Sequence, residues 1–198
     1  MTNDPLQSWA AEGLELQPQA WDQMPDIYLY MDQVVTCLQG MLKYYDVDPQ
    51  NPLITNSMVN NYVKCGAVER PVKKKYSREH LAKLYIICLL KPVLSLQDIY
   101  SLLQSEEDIH TLFETFAGIA AEASREESRK VQEAGDDPRA LWALAMQLSA
   151  ESAAKQVAAR RIIETLAPGE KPAPNEKEKA AETDGPKENG PKEKGKKK

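Results

Sequence analysis

Asn56, Asn60 and Asn61 lie close together in the chain, Lys64 follows at once, and Lys73, Lys74 and Lys75 form a run just beyond. None of these groups is a nucleophile or a general base. A carboxamide presents a paired donor and acceptor, which suits the edge of an adenine in a duplex major groove. A lysine ammonium meets phosphate oxygens as a point charge. Ser57, Tyr76 and Arg78 complete a set of side chains fitted to recognition of a polyanion. The same amides would serve equally well on a plainly solvated helix.

Charge along the chain follows this cluster. Residues 55–91 carry eight Lys/Arg against two acids, whereas residues 1–54 carry one against eight and residues 92–166 seven against thirteen. A basic island between acidic flanks says more about a nucleic-acid partner than the total of −5, because affinity depends on local counterion release.

Covalent chemistry finds no comparable set. His80 and Cys88 are eight residues apart on one expected helix, about 12 Å at 1.5 Å per residue, and cannot share a proton. Glu106, Glu107 and Asp108 are ordinary complements of a helix start. Cys37, Cys65 and Cys88 form no C-x-x-C pair, the two histidines have no metal-ligand spacing, and the glycines are isolated. The expectation is no enzyme, no catalytic residues, no metal and no cofactor. No small-molecule ligand is evident. Scattered thiols, the absence of a leader pattern at the first residues and the lack of a long apolar run lead to the expectation of a soluble cytoplasmic protein without membrane contact.

The elements that position the cluster are helical. Met31, Val34, Val35, Leu38, Met41 and Leu42 recur at the period of one buried helix face. Asp46 to Pro52 breaks that helix. Thr55 caps the next, with Met58, Val59, Tyr62 and Val63 inward, and Gly66 stops it. Pro71 and the lysine run suit a small β-wing or an extended loop. Ser77 starts a helix with Leu81, Leu84, Tyr85 and Cys88 on one face, and Ser95 with Asp98 opens a short one. Ser105 caps a long helix with Ile109, Leu112, Phe113, Phe116, Ala120 and Ala123 as its stripe. Asp137 and Pro138 restart the chain as an alanine-rich helix to about Leu166, carrying Leu141, Leu144, Leu148, Val157, Ile162 and Ile163. Ahead of all these, Leu6, Trp9, Leu14, Leu16 and Trp21 mark an arm packed on the core; beyond them, P-K-E-N-G and P-K-E-K-G mark a disordered tail.

The elements M-V-N-N-Y-V-K-x-G-x-V, K-K-K-Y-S-R-E-H-L-A-x-L and I-C-L-L-K-x-V-L-S-L-Q-D-I, with I-Y-L-Y-M-D-Q-V upstream, resemble the bacterial domain of unknown function 1836 over about residues 20–105. The same residues are similar, less specifically, to the winged helix-turn-helix of mercury-resistance (MerR-like) regulators. Tyr62, Gly66, Ala67, Val68 and Pro71 follow that family's order, as do Lys74, Lys75, Tyr76, Ser77 and Glu79 and the Leu94–Ile99 helix. Departures are Asn60-Asn61 in place of Arg-Tyr, Lys for Arg at 74, and a long proline-bearing connection from Tyr44 to Ile54.

The resemblance implies a MerR-like winged helix-turn-helix domain at 24–104; with the residue pattern on either side, the expectation is a mainly α fold with an N-terminal arm at 1–23, a long antiparallel α-hairpin at 105–166 and a disordered tail at 167–198. It implies a bacterial, sequence-specific transcription regulator that binds double-stranded DNA. Helix 55–65 would read bases through Asn56, Ser57, Asn60 and Asn61. The wing at 70–78 would hold phosphates through Lys73, Lys74, Lys75 and Arg78, joined by Lys64, and Tyr76 would either pack the wing or reach the backbone. Five cations, each on one phosphate, give a salt slope of about −4.5. The hairpin either packs on its own domain or serves as a dimer arm, which admits a homodimer. The alternative is a non-catalytic interaction adaptor using the same basic surface, from which random duplex would displace nothing.

Overall fold

The computed structural model describes residues 5–48, 50–104 and 108–166. Seven α-helices follow one another through these residues: α1 (Pro5–Leu14), α2 (Met31–Met41), α3 (Asn56–Lys64), α4 (Arg78–Leu90), α5 (Leu96–Leu103), α6 (Ile109–Ala134) and α7 (Pro138–Leu166). Single 3-10 turns sit at Trp21–Gln23 and Lys43–Tyr45. The described β structure is two isolated antiparallel bridges, Leu29 with Tyr76 and Val72 with Lys75. The expected tail, 167–198, lies outside the described residues, as do Ser105, Glu106 and Glu107.

The centre of the core is α4. A single buried face is expected from Leu81, Leu84, Tyr85 and Cys88, but His80, Ala82, Ile86 and Ile87 are buried as well. Helices α2, α5 and α6 all pack against it, so most of its circumference is enclosed and Lys83 is left at the margin. Phe113 of α6 is fully buried against it, its ring edge-on to Tyr85 at 5.5 Å and to Trp21 at 6.0 Å. A buried aromatic of this size contributes roughly 2–3 kcal/mol through the water it releases. Burial also pushes the Cys88 thiol up to about 12, which makes it an inert core group.

The inward stripe of α6 is Phe113, Ala117, Ala121, Ser128 and Val131. Ala120 and Ala123 lie beside it, because α1 packs along α6 and selects a neighbouring row. The arm is thus built into the body. Trp9 stacks on Tyr44 at 5.4 Å, Tyr44 and Ser128 share a hydrogen bond of 2.9 Å, and Arg125 Nη1 donates to the Leu16 carbonyl. Gly13 sits where these groups meet; any Cβ there would collide with Ser128 Oγ and Tyr44 Oη.

Helix ends follow local chemistry. Thr55 Oγ1 accepts from Met58 N–H, and Gly66 turns the chain at φ 81°. Ser95 Oγ accepts from Asp98 N–H. Asp108 caps α6, accepting from His110 and Thr111 N–H at 3.1 Å, in the place expected for Ser105. A carboxylate at that end also meets the positive helix terminus. Gly135 at φ 58° ends α6, and Asp137 accepts from Arg139 N–H at the start of α7. Of the apolar residues of α7, only Ile163 is buried; Val157 and Ile162 are exposed.

Candidate nucleic-acid interface

Helix α3 divides its side chains as the sequence requires. Val59 and Tyr62 are buried, Met58 and Val63 pack partly against the core, and the Tyr62 hydroxyl is pushed up to about 12 by burial. Asn56, Ser57, Asn60, Asn61 and Lys64 face outward. Asn56 is already engaged, its Nδ2 donating to Asp32 Oδ1 of α2 at 2.9 Å. Among the described residues, Asn60, Asn61 and Lys64 have no side-chain partner.

The basic run forms a two-residue turn. Lys75 N–H donates to the Val72 carbonyl at 2.9 Å, and Lys73 and Lys74 both adopt positive φ, 51° and 65°. Two successive left-handed residues define the tight hairpin turn that matches strand twist, a place usually filled by Asn-Gly. For lysine this conformation costs on the order of 1 kcal/mol or more per residue. Neighbouring bonds hold it. Leu29 N–H donates to Tyr76 O and Tyr76 N–H to Leu29 O, while Val68 N–H donates to Tyr62 O and ties the run to the end of α3. Both turn lysines are exposed and unpaired among the described residues.

The other expected contacts fare differently. Tyr76 is 3% exposed, with its ring edge-on to His80 at 5.5 Å; it packs into the core, the first of its two expected roles, and leaves the contact set. The two hydrogen bonds exchanged with Leu29 fix its backbone so that the side chain points inward. Lys75 places its ammonium 5.1 Å from the Tyr30 ring centre. Arg78 is largely covered, its guanidinium 3.4 Å from Asp22, 3.5 Å from Asp26 and over Trp21 at 5.7 Å. The acidic arm neutralises this cation in place. Charge counts over long segments miss that pairing.

Three further residues join the surface. Arg70 is exposed at the foot of the turn, unpaired among the described residues. Tyr28 and Tyr30 are 61% and 55% exposed on either side of buried Leu29. The signal for the tyrosines is present in Y-L-Y, the period-two alternation of an extended segment. It is overshadowed by the helix period that begins at Met31.

Ser77 N–H donates to His80 Nδ1 at 3.1 Å, so histidine takes the reciprocal capping role usually held by glutamate. Accepting at Nδ1 leaves the proton of the neutral ring on Nε2. Burial lowers the imidazole pKa below its ordinary value, with nearby Glu69 and Glu79 opposing. Among the described residues, no group of three or more His, Cys, Asp or Glu is placed to hold a metal ion, and no helix is long and apolar enough to cross a membrane.

This geometry describes a mainly helical domain that carries an amide-bearing helix and, a few residues further on, a strained basic turn. Residues 19–116, just under half of the chain, match the family described as a domain of unknown function (DUF1836). No curated protein matches the chain, and no solved structure matches it.

Proposed function

We propose that the protein is a DNA-binding transcription regulator with a MerR-like winged helix-turn-helix core. In this reading α2 and α3 form the helix pair, and α3 enters the major groove with Asn60 and Asn61 on base edges. The turn at Lys73-Lys74 is the wing and lies on phosphates with Lys64 and Arg70, and α6 with α7 forms the antiparallel hairpin. The observation that carries the reading is the strained turn: two lysines hold a conformation that Asn-Gly would adopt more cheaply, with no described partner to explain them. Strain of this kind collects where a side chain is needed for contact. Lysine-phosphate contact supplies sequence-independent affinity, and amide contact to bases supplies discrimination.

The test is fluorescence anisotropy with labelled duplex, together with selection of bound genomic fragments. The expected result is a recovered motif, uniform weakening in Lys73→Ala/Lys74→Ala, and a loss of preference worth roughly 1–3 kcal/mol in Asn60→Ala or Asn61→Ala. Absence of duplex binding at low salt overturns it.

A second reading has its own observation. Ile27, Tyr28 and Val72 are all more than half exposed around the turn, and aromatic and apolar residues among cations also suit an acidic protein partner. In that case excess random duplex leaves the partner bound.

A further inference from the structure

Three short extended segments meet around the basic turn. Leu29 pairs with Tyr76, and Val72 pairs with Lys75. Paired residues share a face and neighbours alternate, so with Leu29 and Tyr76 inward the opposite face carries Tyr28, Tyr30, Lys75 and Val72. Tyr28 and Tyr30 are 61% and 55% exposed, and their positions lie about 6.6 Å apart along the segment. That spacing is close to one nucleotide step of an extended strand. Lys75 Nζ sits over the Tyr30 ring at 5.1 Å, and Tyr28 lines a hollow with Ile27 and Val72.

Arg70, Lys73 and Lys74 are exposed beside this face, without a partner among the described residues. Of the acids near by, Asp22 and Asp26 are engaged by Arg78, and Glu69 by Lys83. Rings on one face with uncancelled cations beside them suit a ligand that alternates flat π surfaces with negative charge. A base offers its flat surface only when unpaired and unstacked; in a duplex the neighbouring pairs cover it. An acidic peptide would satisfy the cations but give the rings nothing to stack on. A broad anionic lipid surface would also have to approach Asp22 and Asp26, whose side chains are 95% and 89% exposed. A strand a few nucleotides long avoids that approach.

We propose that this face is a second nucleic-acid site, a stacking platform for single strands. Successive unpaired bases lie on Tyr28 and Tyr30, and Arg70, Lys73 and Lys74 hold the phosphates on either side. The site shares those three cations with the duplex reading but uses no residue of α3, so each can fail without the other.

Fluorescence anisotropy of the full chain with labelled oligo-dT and oligo-rU of about twelve nucleotides tests it, with a fully paired duplex alongside. Binding of either strand supports the platform, and the tighter of the two identifies the sugar it favours. Tyr28→Ala and Tyr30→Ala should each weaken the strand about tenfold, while Tyr28→Phe and Tyr30→Phe, which keep the rings, should stay within about threefold of wild type. Three phosphates held give a salt slope of about −2.1 for a single strand. The tyrosine variants should leave duplex affinity unchanged, and Asn60→Ala/Asn61→Ala should leave the strand bound, so a failed groove reading shows in the duplex arm alone. Circular dichroism verifies that the variants fold. No strand binding at about 100 µM protein, binding indifferent to loss of both rings, or displacement of the strand by oligo-glutamate or phosphatidylserine vesicles as readily as by unlabelled oligo-dT overturns the proposal.

Discussion

Leu29 and Tyr76 exchange both backbone hydrogen bonds, at 2.9 and 2.8 Å, and so join the segment before α2 to the residues after the basic turn. The pairing sends both side chains into the core, where Leu29 is 6% and Tyr76 3% exposed. It also turns Tyr28 and Tyr30 outward beside the lysines, because successive residues of an extended chain face opposite ways. One bridge therefore removes an expected contact residue and supplies two others.

Replacing Lys73-Lys74 by Asn-Gly should stabilise the fold and weaken duplex binding together. Relief of two positive-φ lysines is worth about 1–2 kcal/mol, a rise in Tm of several degrees for a chain of this size. Thermal melting and duplex anisotropy on the same preparation check it. A turn replaced without gain in Tm would mean that the lysines carry no strain.

The salt dependence of duplex binding should be shallower than the sequence suggests. With Lys75 placed over Tyr30 and Arg78 held by Asp22 and Asp26, the cations of the candidate interface left unpaired among the described residues are Lys64, Arg70, Lys73 and Lys74, and the slope should be near −3.6. Asp22→Asn/Asp26→Asn frees Arg78 and should steepen it by about 0.9. An unchanged slope would show that Arg78 does not reach the phosphates.

Gly13→Ala should destabilise the protein by about 1–3 kcal/mol, measured by urea unfolding. The added methyl group meets Ser128 Oγ and Tyr44 Oη at the α1–α6 contact. A neutral substitution would mean that α1 can lift from α6 at no cost.

Acid should weaken the fold through His80. Its pKa is lowered in the folded state, so the unfolded chain binds the proton more readily. The associated stability is complete above the ordinary histidine pKa of about 6.5 and is lost as pH falls through the depressed folded value. His80→Gln keeps an acceptor for Ser77 N–H without titrating. Its urea midpoint should fall less than that of wild type between about pH 7 and 5; parallel curves would remove His80 from the acid response.

Much of the fold is legible from local pattern. The inward face of α3 with Val59 and Tyr62, the Thr55 cap, the Gly66 stop and the Asp137-Pro138 restart are decided by residues within a turn or two of one another. The outward position of Asn60 and Asn61 follows from the same period. The similarity of residues 19–116 to the DUF1836 family falls on the same segment.

Partners distant in sequence are decided only in three dimensions. Arg78 belongs to the basic island by count, yet Asp22 and Asp26, some fifty residues earlier, hold it. Tyr76 reads as a surface aromatic until its bridge to Leu29 turns it inward. The periodicity of α7 marks apolar positions without saying which face the domain covers, and packing leaves the Met146–Val157 face open to water. Helical period and capping act over a few residues and are written in the chain, whereas ion pairing and burial depend on which segments meet once it has folded.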